Sequence, residues 1–479
     1  MKNISKIALL TLLTIGLGSC KKFLEKDPIG RIGKQVLFED VNGATLALNG
    51  SYKSMLNYYK AEFGMYGDVA SDNLTTVLAN DVYMPEQFNF SSTPDDEASA
   101  AGHIWLAIFE SLNNVNNLIN ALPELKTKFP DQTAQLETIQ GQALVLRALC
   151  HLDLTKVFAQ PYNFTPDASH LGVPILLKTP TPGQEIPRKT MKETYDQILK
   201  DINDALPLLQ KYNNTNQAVV SYQTALALLS RINLYKGDWA QSVTYADQVI
   251  AGNTFKLATA TEYKNVFIAY PSPATTPRVE VLFQLSAFGL PSYSTTDINS
   301  IFSSFSSAKY RASTKLLNSF DVTDIRKTEM FVSTSAKSIT KKYADTIATA
   351  PRPFAVKVIR LSEVYLNRAE ANWNLGKYEL AAEDLRIISQ RAHPGQTIAI
   401  SYTNNANLYK QIADERNREL CFEGHRLFDI VRRKEGLERG ADCNSTICKL
   451  TYPNDKFVLP ITNKELDANK AMKQNPGYN

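Results

Sequence analysis

Apolar residues return at threes and fours along much of this chain, and that spacing predicts helices. Ala44, Leu48, Tyr52, Met55 and Leu56 form one stripe, and Trp105, Ile108, Phe109, Leu112, Val115 and Leu118 form another. A third helix is predicted over Ile139 to Phe158, with Ala143, Leu146, Cys150 and Leu154 on its apolar face and Gln160-Pro161 at its end. Pro166, Pro174, Pro180, Pro182 and Pro187 then break residues 161–187 into an extended connection. Helical periodicity resumes at Thr190 and runs to about Leu209. Between the first two stripes, residues 64–100 have no period and carry Asp, Asn, Ser, Pro and scattered aromatics, the composition of a long functional loop.

Two later stretches repeat one another. Ile232-Asn-Leu-Tyr-Lys-Gly-Asp-Trp239 is followed by Ser242, Ala246 and Val249, and Ala371-Asn-Trp-Asn-Leu-Gly-Lys-Tyr378 by Ala381, Leu385 and Ile388. In each, a helix stops at a glycine, an aromatic follows two residues later, and a second helix carries small or apolar residues at matching offsets. This resembles the tetratricopeptide helix-turn-helix, in which glycine allows the sharp turn and small residues let the helices approach. The expected fold class is all-α: tetratricopeptide-like helix pairs forming a scaffold, with long inserted loops and a few short strands. The two repeats are degenerate and far apart, so they read as parts of an interrupted scaffold and not as a tandem array. The largest insertion, about residues 255–354, is rich in Ser, Thr, Pro and Tyr. It holds one strand candidate, Val279 to Gln284, and a helix around Ser313 to Phe320. Its aromatics favour ordered loop draped on the scaffold over disorder.

The first twenty residues place the protein. Lys2 and Lys6 precede an apolar run from Ile7 to Leu17, and Gly18-Ser19-Cys20 supplies small residues and then a cysteine at the cut, the bacterial lipoprotein pattern. The run is shorter than the roughly 20 residues that span a bilayer, so residues 1–19 read as a removed signal peptide. An ordinary secretory signal is the alternative. Residues 20–35 read as a lipidated tether, which anchors the chain to a membrane without spanning it. Composition adds little against this. The net charge of +4 falls to +2 once Lys2 and Lys6 are removed, a balance that argues against a nucleic-acid partner. Of the cysteines other than Cys20, Cys150 and Cys421 lie in apolar helical patterns and read as buried hydrophobes. Cys443 and Cys448 could close a small loop as a disulfide in an oxidising compartment, or remain as two free thiols.

The longest motifs lie towards the C-terminus. Ile359-Arg-Leu-Ser-Glu-Val-Tyr-Leu-Asn-Arg-Ala-Glu-Ala371, Ile412 to Arg432, Pro460 to Asn469 and Gln474-Asn-Pro-Gly-Tyr478 resemble the SusD/RagB family of outer-membrane lipoproteins. Cys20-Lys-Lys-Phe-Leu-Glu-Lys-Asp-Pro28, Gly67-Asp-Val-Ala-Ser-Asp-Asn73 and Arg147-Ala-Leu-Cys-His-Leu-Asp-Leu154 resemble that family's lipidated start, loop and helix. The resemblance spans nearly the whole mature chain. It implies one SusD-like domain over residues 36–479, with an N-terminal SusD-like region of about 24–210 and a C-terminal region of about 355–479 around the insertion. It also implies a partner, a SusC-like TonB-dependent transporter. The ligand would be an oligosaccharide, or a peptide as in some relatives, and the location the outer membrane, facing the cell surface. No chemistry, cofactor or metal is implied.

Sugar recognition needs flat aromatic faces with Asp, Asn, Arg or Gln around them. The candidates are Tyr66, Asp72, Asn73, Tyr83 and Phe88 in the first loop, and Phe288, Tyr293 and Tyr310 in the second. Each has a plainer reading as a packing residue, and Asp72 and Asn73 as turn caps. The charged run from Glu415 to Arg433 reads as scaffold, with Glu415 and Glu419 paired to arginines a helical turn away such as Arg418 and Arg426, and His425 in a buried or capping hydrogen bond. Enzyme patterns fail: the five histidines never reach metal-ligand spacing, Gly30-Arg-Ile-Gly-Lys34 is too short for a phosphate loop, and no G-x-S-x-G elbow occurs. Two carboxylates meeting only in space would make a helical glycoside hydrolase, and a pure peptide-binding scaffold is a third reading.

Overall fold

A computed structural model describes residues 33–95, 98–211, 214–267, 279–287, 294–304, 306–334, 337–343 and 354–478. The signal peptide and Cys20 lie outside the described residues. No helix among those described is long and apolar enough to cross a membrane.

The chain enters through α1 (Lys34–Leu37) and α2 (Val41–Tyr59), whose first turn is capped by the Asp40 carboxylate accepting from Gly43 N at 2.7 Å. Helix α3 (Glu62–Val69), strand β1 (Leu74–Thr76) and α4 (Pro85–Phe88) follow. They stand where the sequence predicts an aperiodic loop over 64–100. Every residue from Phe63 to Val69 is buried, so α3 has no polar face and hence no amphipathic period to read. Two long helices, α5 (Ala100–Lys128) and α6 (Thr133–Phe158), pack on α2 and on each other. Helix α7 (Met191–Gln210) opens with a reciprocal Thr190/Glu193 capping box and lies along α6.

Next come the paired helices α8 (Tyr222–Lys236) and α9 (Trp239–Ala251). The insertion holds β2 (Val281–Ser286), β3 (Tyr310–Ala312), α10 (Thr314–Ser319), α11 (Arg326–Glu329), β4 (Phe331–Ser333) and β5 (Ser338–Thr340), and β6 (Ala355–Arg360) follows at its end. The second pair is α12 (Leu361–Asn374) and α13 (Tyr378–Ala392), followed by α14 (Asn405–Leu420), α15 (Arg426–Arg432), the short strands β7 (Leu437–Glu438) and β8 (Lys449–Leu450), and α16 (Asn463–Ala468).

The two repeats turn alike. Gly237 and Gly376 take φ of +82° and +75°, which L side chains rarely adopt. The next amide donates back five residues in both, Asp238 N to Asn233 O and Lys377 N to Asn372 O, each at 2.9 Å. Small residues set the helix spacing: Ser242 Oγ donates to the Ser230 carbonyl at 2.9 Å, and Ser230 Oγ returns a bond to the Ser242 carbonyl at 3.1 Å.

The interruption between the repeats exists in sequence only. Strand β2 runs antiparallel to β6, which brings the ends of the insertion together, and α12 then packs on α9. Arg368 of α12 bonds Asp384 of α13 at 2.7 and 2.9 Å and Asp247 of α9 at 2.6 Å, clipping the two pairs into one stack. Strand β6, which starts where the expected insertion ends, is buried along its whole length. A six-residue strand covered on both faces has no alternation to betray it.

Candidate functional site

Three segments far apart in sequence meet on one face. Strand β1 pairs antiparallel with β3, Leu74 opposite Ala312 and Thr76 opposite Tyr310, so the first expected loop lies against the insertion. The third segment is the loop closed by a Cys443–Cys448 disulfide. Within it, Asn444 Oδ1 accepts from Thr75 Oγ1 at 2.9 Å, and Ser445 Oγ donates to the Phe88 carbonyl at 2.9 Å. Asp442 accepts from Thr314 N at 2.9 Å and pairs with Arg311 at 3.3 Å. Arg439 lies beneath, donating to the carbonyls of Ser71, Phe88 and Ile447, with its guanidinium 4.5 Å from the Phe88 ring centre.

This face rests on α3. A Cβ at Gly67 would stand 2.3 Å from the Gly424 carbonyl oxygen, so only glycine allows α3 to touch the 421–424 turn. The neighbouring Asp68 carboxylate accepts from Phe422 N at 3.0 Å and Gly424 N at 2.6 Å. Burial pushes its carboxyl up to about 6 against those two bonds.

Most of the expected ligand contacts belong to the interior of this assembly. Tyr66 is fully buried, its ring beside Phe428. Asp72 is buried in a fork with Arg426 at 2.7 and 2.9 Å and a third bond from Lys315 at 2.9 Å. Burial alone would raise its carboxyl, but Arg426 and then Lys315 outweigh that and hold it at about 2. Asn73 donates to Asn417 Oδ1 at 3.0 Å. Phe88 is buried against Tyr310, and the Tyr310 hydroxyl donates to the Tyr83 carbonyl. Tyr66, Asp72, Asn73, Phe88 and Tyr310 therefore present no surface to a ligand in this conformation, which corrects their reading as direct contacts. They are the core and fasteners of the loops. Phe288 and Tyr293 lie outside the described residues.

Tyr83 differs: it is half-buried, and its hydroxyl donates to Glu62 Oε1 at 3.0 Å. The same oxygen lies 3.1 Å from His103 Nδ1. Burial and then Glu62 push the Tyr83 phenol well above its ordinary value, so it stays a neutral hydroxyl. Around it run the pairs Lys60–Asp297 at 2.9 Å and Lys309–Asp81 at 2.5 Å, and the exposed hydroxyls of Ser294 and Thr296, 2.7 Å apart.

The charged C-terminal run is scaffold with partners other than those its spacing suggests. Glu415 does pair with Arg418, at 2.7 Å, but also with Arg326 of α11 at 2.8 Å. Glu419 is held by Arg326, Arg360 and Arg391 at 3.1, 2.8 and 2.7 Å, and Arg426 goes to Asp72. His425 is buried but caps nothing with its side chain, and burial lowers its pKa to about 3. Cys150 and Cys421 are buried free thiols. No cluster of three metal-ligating side chains occurs among the described residues.

Two clefts lie apart from the three-segment face. One, of about 530 Å³, is lined by Lys34, Leu37, Phe38, Leu46, Asn114 and Asn117. The other is a small apolar slot lined by Tyr162, Tyr195, Tyr235, Phe428 and Arg432.

Residues 325–478 match the family model described as "SusD family", and residues 36–234 match a second, described as "Starch-binding associating with outer membrane". The chain belongs to the SusD/RagB family. The C-terminal SusD match opens beside Arg326, the insertion's tie to Glu415 and Glu419. A SusD-like protein P2 of Formosa agariphila is 24% identical, over 95% of this chain and 96% of its own. A Bacteroides vulgatus protein named for sugar binding is 27% identical with a TM-score of 0.80, covering 92% of this chain and 99% of its own. A SusD superfamily protein of Bacteroides thetaiotaomicron is 26% identical with a TM-score of 0.81, covering 91% and 100%.

Proposed function

We propose that this SusD/RagB member binds an oligosaccharide on the face built from β1, β3 and the disulfide loop, and delivers it to a SusC-like TonB-dependent transporter. Lipid on Cys20 would hold it on the outer membrane, facing the cell surface, and keep the captured nutrient concentrated at the pore. The observation that carries the reading is Tyr83 itself, a half-buried ring beside this face, fixed by Glu62, tied to β3 through the Tyr310 hydroxyl and neighboured by hydroxyls and ion pairs. That is the combination a sugar needs: a ring for its C–H surface, and polar groups locked in place for its hydroxyls. The family name and the sugar-binding name of one relative support the ligand class. Phe288 and Tyr293 remain proposed contacts.

Isothermal titration against a panel of oligosaccharides tests this. Tyr83→Ala should weaken binding by about ten-fold or more while leaving the melting temperature within a few degrees, since the ring is only half-buried. Unchanged affinity would remove the ligand from this face. Chromatography of the incubated glycan should show no shorter products, and their appearance would replace capture by hydrolysis. The transporter should copurify from detergent-solubilised outer membranes, and Cys20→Ser should release the protein from them.

A further inference from the structure

Resting on that reading of the face, we infer that its ligand is an uncharged saccharide, because the described cations named below, on the face and beside Tyr83, are already engaged by the protein. Lys60 sits 2.9 Å from Asp297, Lys309 2.5 Å from Asp81, and Arg311 3.3 Å from Asp442. Lys315 and Arg426 share the Asp72 carboxylate at 2.9 and 2.7 Å, and Lys315 also bonds the Glu438 carbonyl. Arg439 turns inward and spends its donors on backbone carbonyls. His103 is paired with Glu62, itself the acceptor for Tyr83.

A uronate or sulfate approaching Lys60, Lys309, Arg311, Lys315 or Arg426 would compete with a carboxylate already in place and be repelled by it at close range. A sugar hydroxyl meets neither cost. It can donate to the free lone pairs of Asp81 and accept from Lys309 or Arg311, groups whose positions the ion pairs have fixed in advance. Ser294, Thr296, Ser306 and Ser307 are exposed on the same stretch and add donors and acceptors without charge. The Lys309–Asp81 pair is the most telling: its side chains are 30% and 51% exposed, so it is the pair a ligand reaches first.

The test uses the full mature protein and matched glycans: a neutral galactan oligosaccharide with its sulfated form, and a neutral glucan with its uronic acid counterpart. Titrations run at about 20 and about 500 mM NaCl, where charge contacts weaken and neutral ones do not. A neutral member should bind at least about ten-fold tighter than its charged partner, with affinity changing less than about two-fold with salt. Asp81→Asn should free Lys309 and raise affinity for the charged member several-fold at low salt, a gain lost at high salt. An anionic glycan that binds tighter than its neutral match, and weakens with salt, overturns the inference and leaves the face intact as a binding site. Neutral binding that ignores Tyr83→Ala overturns the site and the inference together, while binding by no member of the panel overturns saccharide capture itself.

Discussion

Within the α8/α9 and α12/α13 pairs the contacts are between small and apolar residues near in sequence: Ala369, Ala381 and Leu385 form one buried cluster with Leu408 and Ile412 of α14, and serines let α8 and α9 meet, while ion pairs such as Arg231–Glu363 and Arg368–Asp247 enter where one pair meets the other. The insertion is fastened to α14 in another way. Arg326, Arg360 and Arg391 converge on Glu415, Glu419 and Glu280, all buried, with Lys342 pairing Glu423 at 2.5 Å. A segment rich in Ser and Thr has less apolar surface to bury, and it is positioned by charges whose partners lie across the fold. Apolar packing is tolerant of substitution, whereas a buried charge network fails when one member is removed, because the partner is left unpaired.

Breaking that network should therefore have the largest effect. Arg360→Met leaves Glu419, Glu280 and Glu423 short of a cation and should cost about 3–5 kcal/mol in urea unfolding. Hydrogen exchange should show β2 and β6 opening before the helix pairs. In the scaffold, Leu385→Ala removes a buried side chain and should cost about 2–5 kcal/mol, with the pairs and insertion unfolding together. If the insertion loosened first there as well, the contrast between the regions would fail.

Acid gives a smaller and graded effect. The carboxyls of Asp72 and Glu415 are held at about 2, against burial, by Arg426 and Lys315 and by Arg326 and Arg418. Depressed values stabilise above the ordinary carboxylate range, and that stability is lost as the pH falls from about 4.5 through 2, on the order of 2 kcal/mol for each group. Asp68 has the opposite sign: raised to about 6, it favours folding increasingly as the pH falls from 7 to 4. Thermal melts should be flat or slightly rising from pH 7 to 5 and then fall steeply below 4.5, and Asp68→Asn should remove the rise. The smallest change tests the turn itself. Gly376→Ala meets open space and only the +75° backbone, so it should cost about 1 kcal/mol and leave the insertion untouched.

Much of the scaffold was legible because its helices keep one wet face. The stripes at Ala44–Leu56 and Trp105–Leu118 and the glycine turns at Gly237 and Gly376 all mark real elements. The face was legible in composition but not in role. Asp72, Asn73 and Phe88 have the chemistry of ligand contacts, yet their partners are Arg426, Asn417 and Tyr310, whose approach no local pattern announces. Arg439 and Asp68, which hold the face from beneath, carry no periodic signal either, although Gly67-Asp68 sits within a motif that resembles the family's.

The sequence by itself determined the helix pairs, their turns and the family, because amphipathic spacing, positive-φ glycines and long motifs are written in neighbouring residues. Only the tertiary structure decided that the two repeats stack directly across the insertion, that α3 is a buried element and not loop, that β6 is a buried strand paired with β2, and that Tyr83 stays half-buried while Tyr66 and Tyr310 lie inside. Those outcomes depend on contacts between residues hundreds of positions apart, where burial and charge pairing are settled by what arrives from elsewhere in the chain.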